Sequence, residues 1–204
     1  MGIVGPNGSG KTALLRALTG LHDTQGSVLL DGRDIRSIDP CECGIFYVSD
    51  DCGIFDMTVR ENLEFFYGCY NDPGSGRMDR DIENILEATK LKGRANSSAD
   101  SLSLGMRRRL AYAMTMVAVP SVLIMDDPFS NLDTDGRIYL EGYLRTLKML
   151  GTAIVISSHD LINLQGICDS VLILRGGYVK GTIPVDKDVD LSERYLSMIR
   201  GDAG

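Results

Sequence analysis

The chain has 204 residues, 44% of them hydrophobic, which suits one globular domain with a substantial core and at most a subdomain. Its formal net charge of −7 argues against nonspecific nucleic-acid binding. The apolar run over 114–125 is short and contains Pro120, so no membrane span is expected, and Met1 runs almost directly into a glycine-rich motif, so no signal peptide is expected either. Five cysteines, odd in number and irregular in spacing, fit reduced thiols; Cys41, Cys43 and Cys52 lack the paired C-x-x-C spacing and nearby histidine of a zinc site.

Ile3 and Val4 read as the end of a strand. Residues 5–12 then read G-P-N-G-S-G-K-T, a full match to the phosphate-binding pattern G-x-x-x-x-G-K-[ST]. Gly5, Gly8 and Gly10 let the backbone turn tightly, so that successive N–H groups of the loop that also holds Pro6, Asn7 and Ser9 can point at a polyphosphate, Pro6 itself having none to give. A helix opening near Lys11 and Ala13 adds its positive end. Lys11 supplies an ammonium for the β- and γ-phosphates, and Thr12 a hydroxyl for Mg²⁺. Leu14, Leu15 and Leu18 share one face of that helix, and Gly20 is its expected stop.

Further along, 27–30 reads as a strand followed by the turn Asp31-Gly32, and 44–48 as a second short strand leaving into a polar loop. From Thr58 the pattern turns helical, with Val59, Leu63 and Phe66 inward. Residues 71–77 break it, and Asp79 is expected to cap another helix that turns Ile82, Ile85 and Leu86 inward. A third helix runs to about Val117 and ends before Pro120. Residues 122–125 form an apolar run typical of a buried parallel strand. A helix over 135–149, a strand over 153–157, a short helix over 161–167 and a hairpin with strands at 171–174 and 178–180 complete the pattern. The alternation argues for an α/β core of about 1–58 and 114–204, interrupted by a helical subdomain of about 59–113.

The strand over 122–125 ends in Asp126-Asp127. Beside a phosphate loop, an apolar strand ending in a carboxylate is the second half of a nucleotide site: Asp126 would reach Mg²⁺, and Asp127 would polarise the attacking water. His159 follows another strand end, where open α/β sheets place ligands, and its imidazole suits the γ-phosphate.

At this point the chain resembles the ATP-binding cassettes of ABC transporters over almost its whole length. Residues 5–12 match Walker A and 122–126 match Walker B. Leu102-Ser103-Leu104-Gly105-Met106, followed by Arg107-Arg108-Arg109-Leu110, is similar to the ABC signature, in a form like that of heme, drug and antibiotic exporters. Ser130-Asn131-Leu132-Asp133 matches the D-loop and His159 the switch histidine. The resemblance implies a P-loop NTPase core with a mostly parallel sheet, and an ATPase using ATP and Mg²⁺ to drive transport, with export expected. It implies a second cassette, whose P-loop phosphate would face Ser103, Leu104, Gly105 and Met106 in trans, near Asp133. It implies a separate integral membrane subunit docking near Asp50 and the helical insertion, and a cytoplasmic position at the inner face of the membrane. The arginines from Arg107 are read first as a solvated or salt-bridged helix face.

Three departures from the family stand out. Asp127 occupies the place of a catalytic glutamate, one methylene shorter. Asp50 stands near the usual glutamine of the loop after the second strand, as a candidate Mg²⁺ ligand. The family has a β-rich segment with an adenine-stacking aromatic before the P-loop, whereas here Gly5 follows Met1 almost at once, so either a truncated start or a compromised nucleotide binder is expected. The first two favour an alternative, a degenerate or regulatory cassette that binds ATP without hydrolysing it. A soluble cassette protein of translation or repair is less favoured, because neither a tandem cassette nor a coiled-coil insertion is present.

Overall fold

The computed structural model describes residues 1–49, 53–130, 132–186 and 190–200. Strand β1 (Gly2–Val4) leads through the glycine-rich loop into helix α1 (Lys11–Leu18). The helix stops at the expected glycine. Gly20 sits at φ +75°, its N–H bonds the Ala17 carbonyl at 3.1 Å and the Leu21 N–H bonds the Arg16 carbonyl at 3.0 Å. That pair of bonds satisfies the last carbonyls of the helix, and only a residue tolerant of the left-handed region closes it without strain. The hairpin of β2 (Leu29–Leu30) and β3 (Arg33–Asp34) turns on Asp31 and Gly32, both at positive φ. A short helix α2 (Pro40–Cys43) precedes β4 (Ile45–Val48).

Three helices follow: α3 (Val59–Tyr70), α4 (Met78–Ala88) and α5 (Leu104–Ala118). Helix α3 opens in a capping box, with the Glu61 N–H donating to the Thr58 hydroxyl and the Thr58 N–H donating to the Glu61 carboxylate at 2.8 Å. The expectation that Asp79 caps α4 is corrected. The cap position is Arg77, and Asp79 lies inside the first turn, where its charge complements the helix dipole without bonding an end N–H. Helix α5 ends at Val119, held at φ +44°, just before Pro120, which has no N–H to continue the ladder.

The chain then alternates through β5 (Val122–Met125), α6 (Thr134–Met149), β6 (Ala153–Ser158), α7 (Ile162–Gln165) and the hairpin of β7 (Ser170–Arg175) and β8 (Tyr178–Pro184). Helix α8 (Leu191–Arg200) is an addition to the elements expected from sequence. It buries Leu191 completely and brings the Met198 methyl to 2.2 Å from where a Cβ on Gly181 would stand, so a side chain at Gly181 would require the end of Met198 to move.

Strands β4, β5, β6, β1 and β7 lie side by side in that order and are all parallel; β8 closes the edge antiparallel to β7. Alternate residues face opposite layers. Leu123 and Met125 pack with Leu140, Leu144 and Leu147 of α6, whereas Ile124 packs with Ile3 and Leu15 on the α1 side. A separate cluster joins α3, α4 and α5 through Leu63, Ile82, Leu86, Leu110 and Met114. Because the strands are parallel, the carboxyl ends of β1, β4, β5 and β6 open on one edge, which is where the phosphate loop, Asp126, Asp127 and His159 lie.

Candidate functional site

The loop after β1 is set by close approach as much as by turning. A Cβ on Gly5 would stand 2.2 Å from the Leu174 carbonyl oxygen and 2.6 Å from the Ser9 hydroxyl, so only glycine fits. Gly8 and Gly10 lie at φ +78° and +100°, and Gly10 is the residue before α1, whose first N–H groups receive no side-chain cap. Those groups are therefore open to water or to a ligand. Lys11 is 9% exposed and its Nζ donates to the carbonyls of Gly5 at 2.7 Å and Pro6 at 3.1 Å. The ammonium is thus held over the loop rather than out in solvent.

The second half stands opposite. The Thr12 hydroxyl donates to Asp126 Oδ2 at 2.6 Å, and the Ser157 hydroxyl donates to Asp126 Oδ1 at 2.5 Å. Asp127 follows in the left-handed region at φ +44°, its N–H donating to the Ser157 hydroxyl at 2.9 Å. Its Oδ2 lies 2.8 Å from His159 Nδ1. A ligand contact from His159 therefore falls to Nε2, and the sequence reading of this histidine as a direct phosphate partner omitted its bond to Asp127.

A cavity of about 630 Å³ is bounded by Asn7, Gly8, Gly10, Lys11, Thr12 and Ala13 on one side and by Asp126 and Asp127 on the other. Arg16, His22, Tyr47, Ser49 and Ser130 also line it, and sequence reasoning did not assign the first four. Arg16 was within reach of a helical-spacing argument, because it lies four residues after Thr12 and so on the same face of α1. Tyr47 carried no local signal. Its hydroxyl approaches Asp126 Oδ2 at 3.5 Å, and its pKa is raised by burial and then by the charge of Asp126, against a hydrogen bond from Arg16 that lowers it.

The signature residues stand elsewhere. The Ser103 hydroxyl caps α5 by accepting from the Met106 N–H at 3.3 Å, and Ser103, Leu104 and Gly105 are exposed. Ser103 and Gly105, with Met106, Asp133 and Tyr139, border a second cavity of about 330 Å³ that shares no lining residue with the first. Leu104 is exposed and helps form that face without lining the cavity. Asp133 caps α6 by accepting from the Gly136 N–H at 2.7 Å. The three arginines do not share one role. Arg107 pairs with Asp100 at 3.9 Å at the surface, Arg109 lies 5.6 Å over the Tyr139 ring, and Arg108 is buried, donating to the Ser130 carbonyl at 2.5 Å. For Arg108 the reading as a solvated face is corrected: the residues after β5 fold back under α5 and give its guanidinium an acceptor. Asp50, together with Asp51, Cys52 and Asn131, lies outside the described residues, as does the side chain of Cys41.

The residues present fit a magnesium nucleotide. Hydroxyl and carboxylate oxygens are hard donors, and Mg²⁺ is commonly held by one or two carboxylates together with phosphate oxygens. Ser9 Oγ and Asp127 Oδ1 are buried with no hydrogen-bond partner among the described residues, one under the phosphate loop and one at the end of β5. Among the described residues no helix is long and apolar enough to cross a membrane.

Comparison with known proteins places this geometry. Residues 1–130 match the family model described as ABC transporter. The chain is 35% identical to the Nod factor export ATP-binding protein I of Cupriavidus pinatubonensis, over 86% of this chain and 55% of that one. It is 31% identical to the sulfate/thiosulfate import ATP-binding protein CysA of Synechocystis, over 87% of this chain and 51% of that one. The chain spans about half the length of the curated relatives it matches. Its fold superposes with a TM-score of 0.79 on an ATP-binding cassette solved as a dimer in a post-hydrolysis state with ADP and phosphate, at 22% identity, covering 91% of this chain and 84% of that one. With the phosphate loop, the carboxylate-ended strand and the signature helix in this arrangement, the chain belongs to the ABC transporter family, among its ATP-binding cassettes.

Proposed function

We propose that this chain is the ATP-binding and ATP-hydrolysing subunit of a membrane transporter. The observation that supports this most is the 2.6 Å bond between Thr12 of the phosphate loop and Asp126 at the end of β5, inside one cavity of about 630 Å³. Thr12 and Asp126 would hold Mg²⁺, which when bound would offset the negative charge of the phosphates. Lys11, with the N–H groups at the start of α1, would hold the β- and γ-phosphates. Asp127 would accept a proton from the attacking water, with its Oδ2 oriented by His159 and its Oδ1 turned into the buried site.

A second cassette would complete the site by bringing its Ser103 and Gly105 to the γ-phosphate, while Asp133 lies at the same interface. The exposure of Ser103, Leu104 and Gly105, with Ser103 and Gly105 lining a cavity separate from the P-loop, supports that reading. A two-fold contact of this kind gives two equivalent sites. A separate membrane subunit would carry the substrate path and hold the cassette at the inner face of the membrane. The helical subdomain of about 59–113 and the loop carrying Asp50 would receive it. Relatives named for import and for export match at similar identity, so the proposal of export rests on the form of residues 102–106 alone.

The shorter side chain of Asp127 favours a second reading, a cassette that binds ATP and regulates its partner without turnover. Steady-state ATP hydrolysis by the purified chain, with Lys11→Ala as control, separates the two. Turnover that disappears in the control supports the subunit reading. Binding of ATP with no turnover, alone and with a co-purified membrane partner, moves the conclusion to the regulatory cassette.

A further inference from the structure

Ser157 does not touch the cavity, yet it holds both carboxylate residues that do. We infer that Ser157 is a positioning residue for metal binding and hydrolysis at this site, an inference that rests on the reading of Asp126 and Asp127 given above. The register makes the contact possible. Met125 of β5 pairs with Ile156 of β6, so the next step along both strands brings Asp126 beside Ser157. Strand β5 ends there while β6 continues to Ser158.

The Ser157 side chain is fully buried, and a hydroxyl has one proton to give and lone pairs to accept with. The proton goes to Asp126 Oδ1 at 2.5 Å. This anchors one oxygen of the carboxylate and leaves Oδ2 turned to Thr12 at 2.6 Å, the side on which a cation would sit. A lone pair receives the Asp127 N–H at 2.9 Å. That bond ties down a residue whose backbone is in the left-handed region, and so fixes the direction in which the Asp127 side chain leaves the strand toward His159. One buried hydroxyl therefore sets the rotamer of one carboxylate and the backbone of the other. Without it, Asp126 would be held at Oδ2 alone, by Thr12 and more weakly by Tyr47, so that its carboxylate could pivot about that oxygen, and the Asp127 N–H would lose its acceptor in a partly buried position.

The test uses Ser157→Ala, which removes the hydroxyl, and Ser157→Thr, which keeps it. Mn²⁺ binding in the presence of saturating ADP is followed by electron paramagnetic resonance. Fluorescent ADP binding in EDTA reports the phosphate loop without metal, and ATP turnover is measured alongside. Ser157→Ala is expected to weaken Mn²⁺ binding about 10-fold and to lower turnover at least 10-fold, with metal-free ADP binding within about twofold of wild type. Ser157→Thr is expected to restore both losses. A purely structural role would lower metal-free ADP binding and thermal stability together with the rest, and that result overturns the inference. Unchanged Mn²⁺ affinity and turnover in Ser157→Ala, with a wild type that binds Mn²⁺ and ADP, overturns it as well. A wild type that binds neither overturns the functional reading, and this inference with it.

Discussion

The guanidinium of Arg108, on α5, donates to the carbonyl oxygen of Ser130, in the segment between β5 and α6. The same side chain reaches the Ser130 hydroxyl at 3.4 Å. Ser130 lines the cavity of the phosphate loop, and Arg108 lines the cavity of the signature residues. The two surfaces of the cassette are thus joined inside one chain by a buried charged hydrogen bond. Arg108→Met is expected to lower the unfolding free energy by about 1.5–3 kcal/mol, the usual worth of a hydrogen bond to a charged group. Arg107→Met, at an exposed pair, is expected to change it by less than about 0.5 kcal/mol. Urea denaturation of the two variants measures the difference, and equal effects would argue against a special place for Arg108.

Asp127 sits at φ +44°, a region that aspartate and asparagine tolerate better than most residues. Asp127→Glu is therefore expected to act in two directions. Stability should fall by about 1 kcal/mol, because the longer side chain fits the left-handed backbone less well. Turnover should rise, by up to about 100-fold, because the added methylene carries the carboxylate closer to the attacking water. Thermal melts and steady-state ATP hydrolysis of the same preparation check both halves. Unchanged turnover would remove arm length as the explanation for weak hydrolysis.

Two glycines of the phosphate loop should respond differently to alanine. Gly5→Ala places a Cβ 2.2 Å from the Leu174 carbonyl, a backbone atom that cannot step aside. Overpacking of this kind costs about 1–3 kcal/mol, and nucleotide affinity should fall more than about 10-fold as the loop shifts. Gly8 lies at φ +78° with open space around its Cβ position, so Gly8→Ala should cost only the left-handed backbone, about 1–2 kcal/mol, with no clash. A crystal structure of each variant would show a displaced loop in the first and an unmoved one in the second.

The capping box of α3 carries a pH dependence of defined sign. The Thr58 N–H, and then its hydroxyl, lower the pKa of Glu61 below its ordinary value of 4.5. A carboxyl whose folded pKa is depressed adds stability above the unfolded value and loses it as pH falls through the folded one. Wild type should therefore exceed Glu61→Gln in stability above pH 4.5, and the gap should close as the pH is taken below it. Melting temperatures across pH 3–7 (about the range of the carboxylate titration) test this. A constant gap would assign the effect to packing rather than charge.

The residues that announce the site in sequence are those whose chemistry is local. Gly8 and Gly10 turn the chain, Lys11 and Thr12 open the helix after it, and an apolar run ends in Asp126; each signal lies within a few residues of its effect. Gly20 and the Asp31-Gly32 turn were legible for the same reason, since each uses a backbone conformation tied to residue type. The start of α4 differs from the expectation because an acid in the first helical turn and an acid at the cap look alike in sequence: Asp79 and Asp81 both lie inside the first turn, and the cap position falls on Arg77. Helix α8 escaped notice, although its apolar face has a partner in β8.

What only the tertiary structure decided is which distant residues meet. Sequence sets the strand ends, but the order β4-β5-β6-β1-β7 and the pairing of Met125 with Ile156 put Ser157 beside Asp126, Tyr47 near the same carboxylate and His159 against Asp127. Cross-strand register depends on how two faces of side chains pack at once, and no window of the chain contains both. Arg108 shows the same division. Its position on a helix was readable, whereas its burial against Ser130 depended on how the segment after β5 returns beneath α5, since a buried guanidinium is stable only where a distant carbonyl accepts its proton.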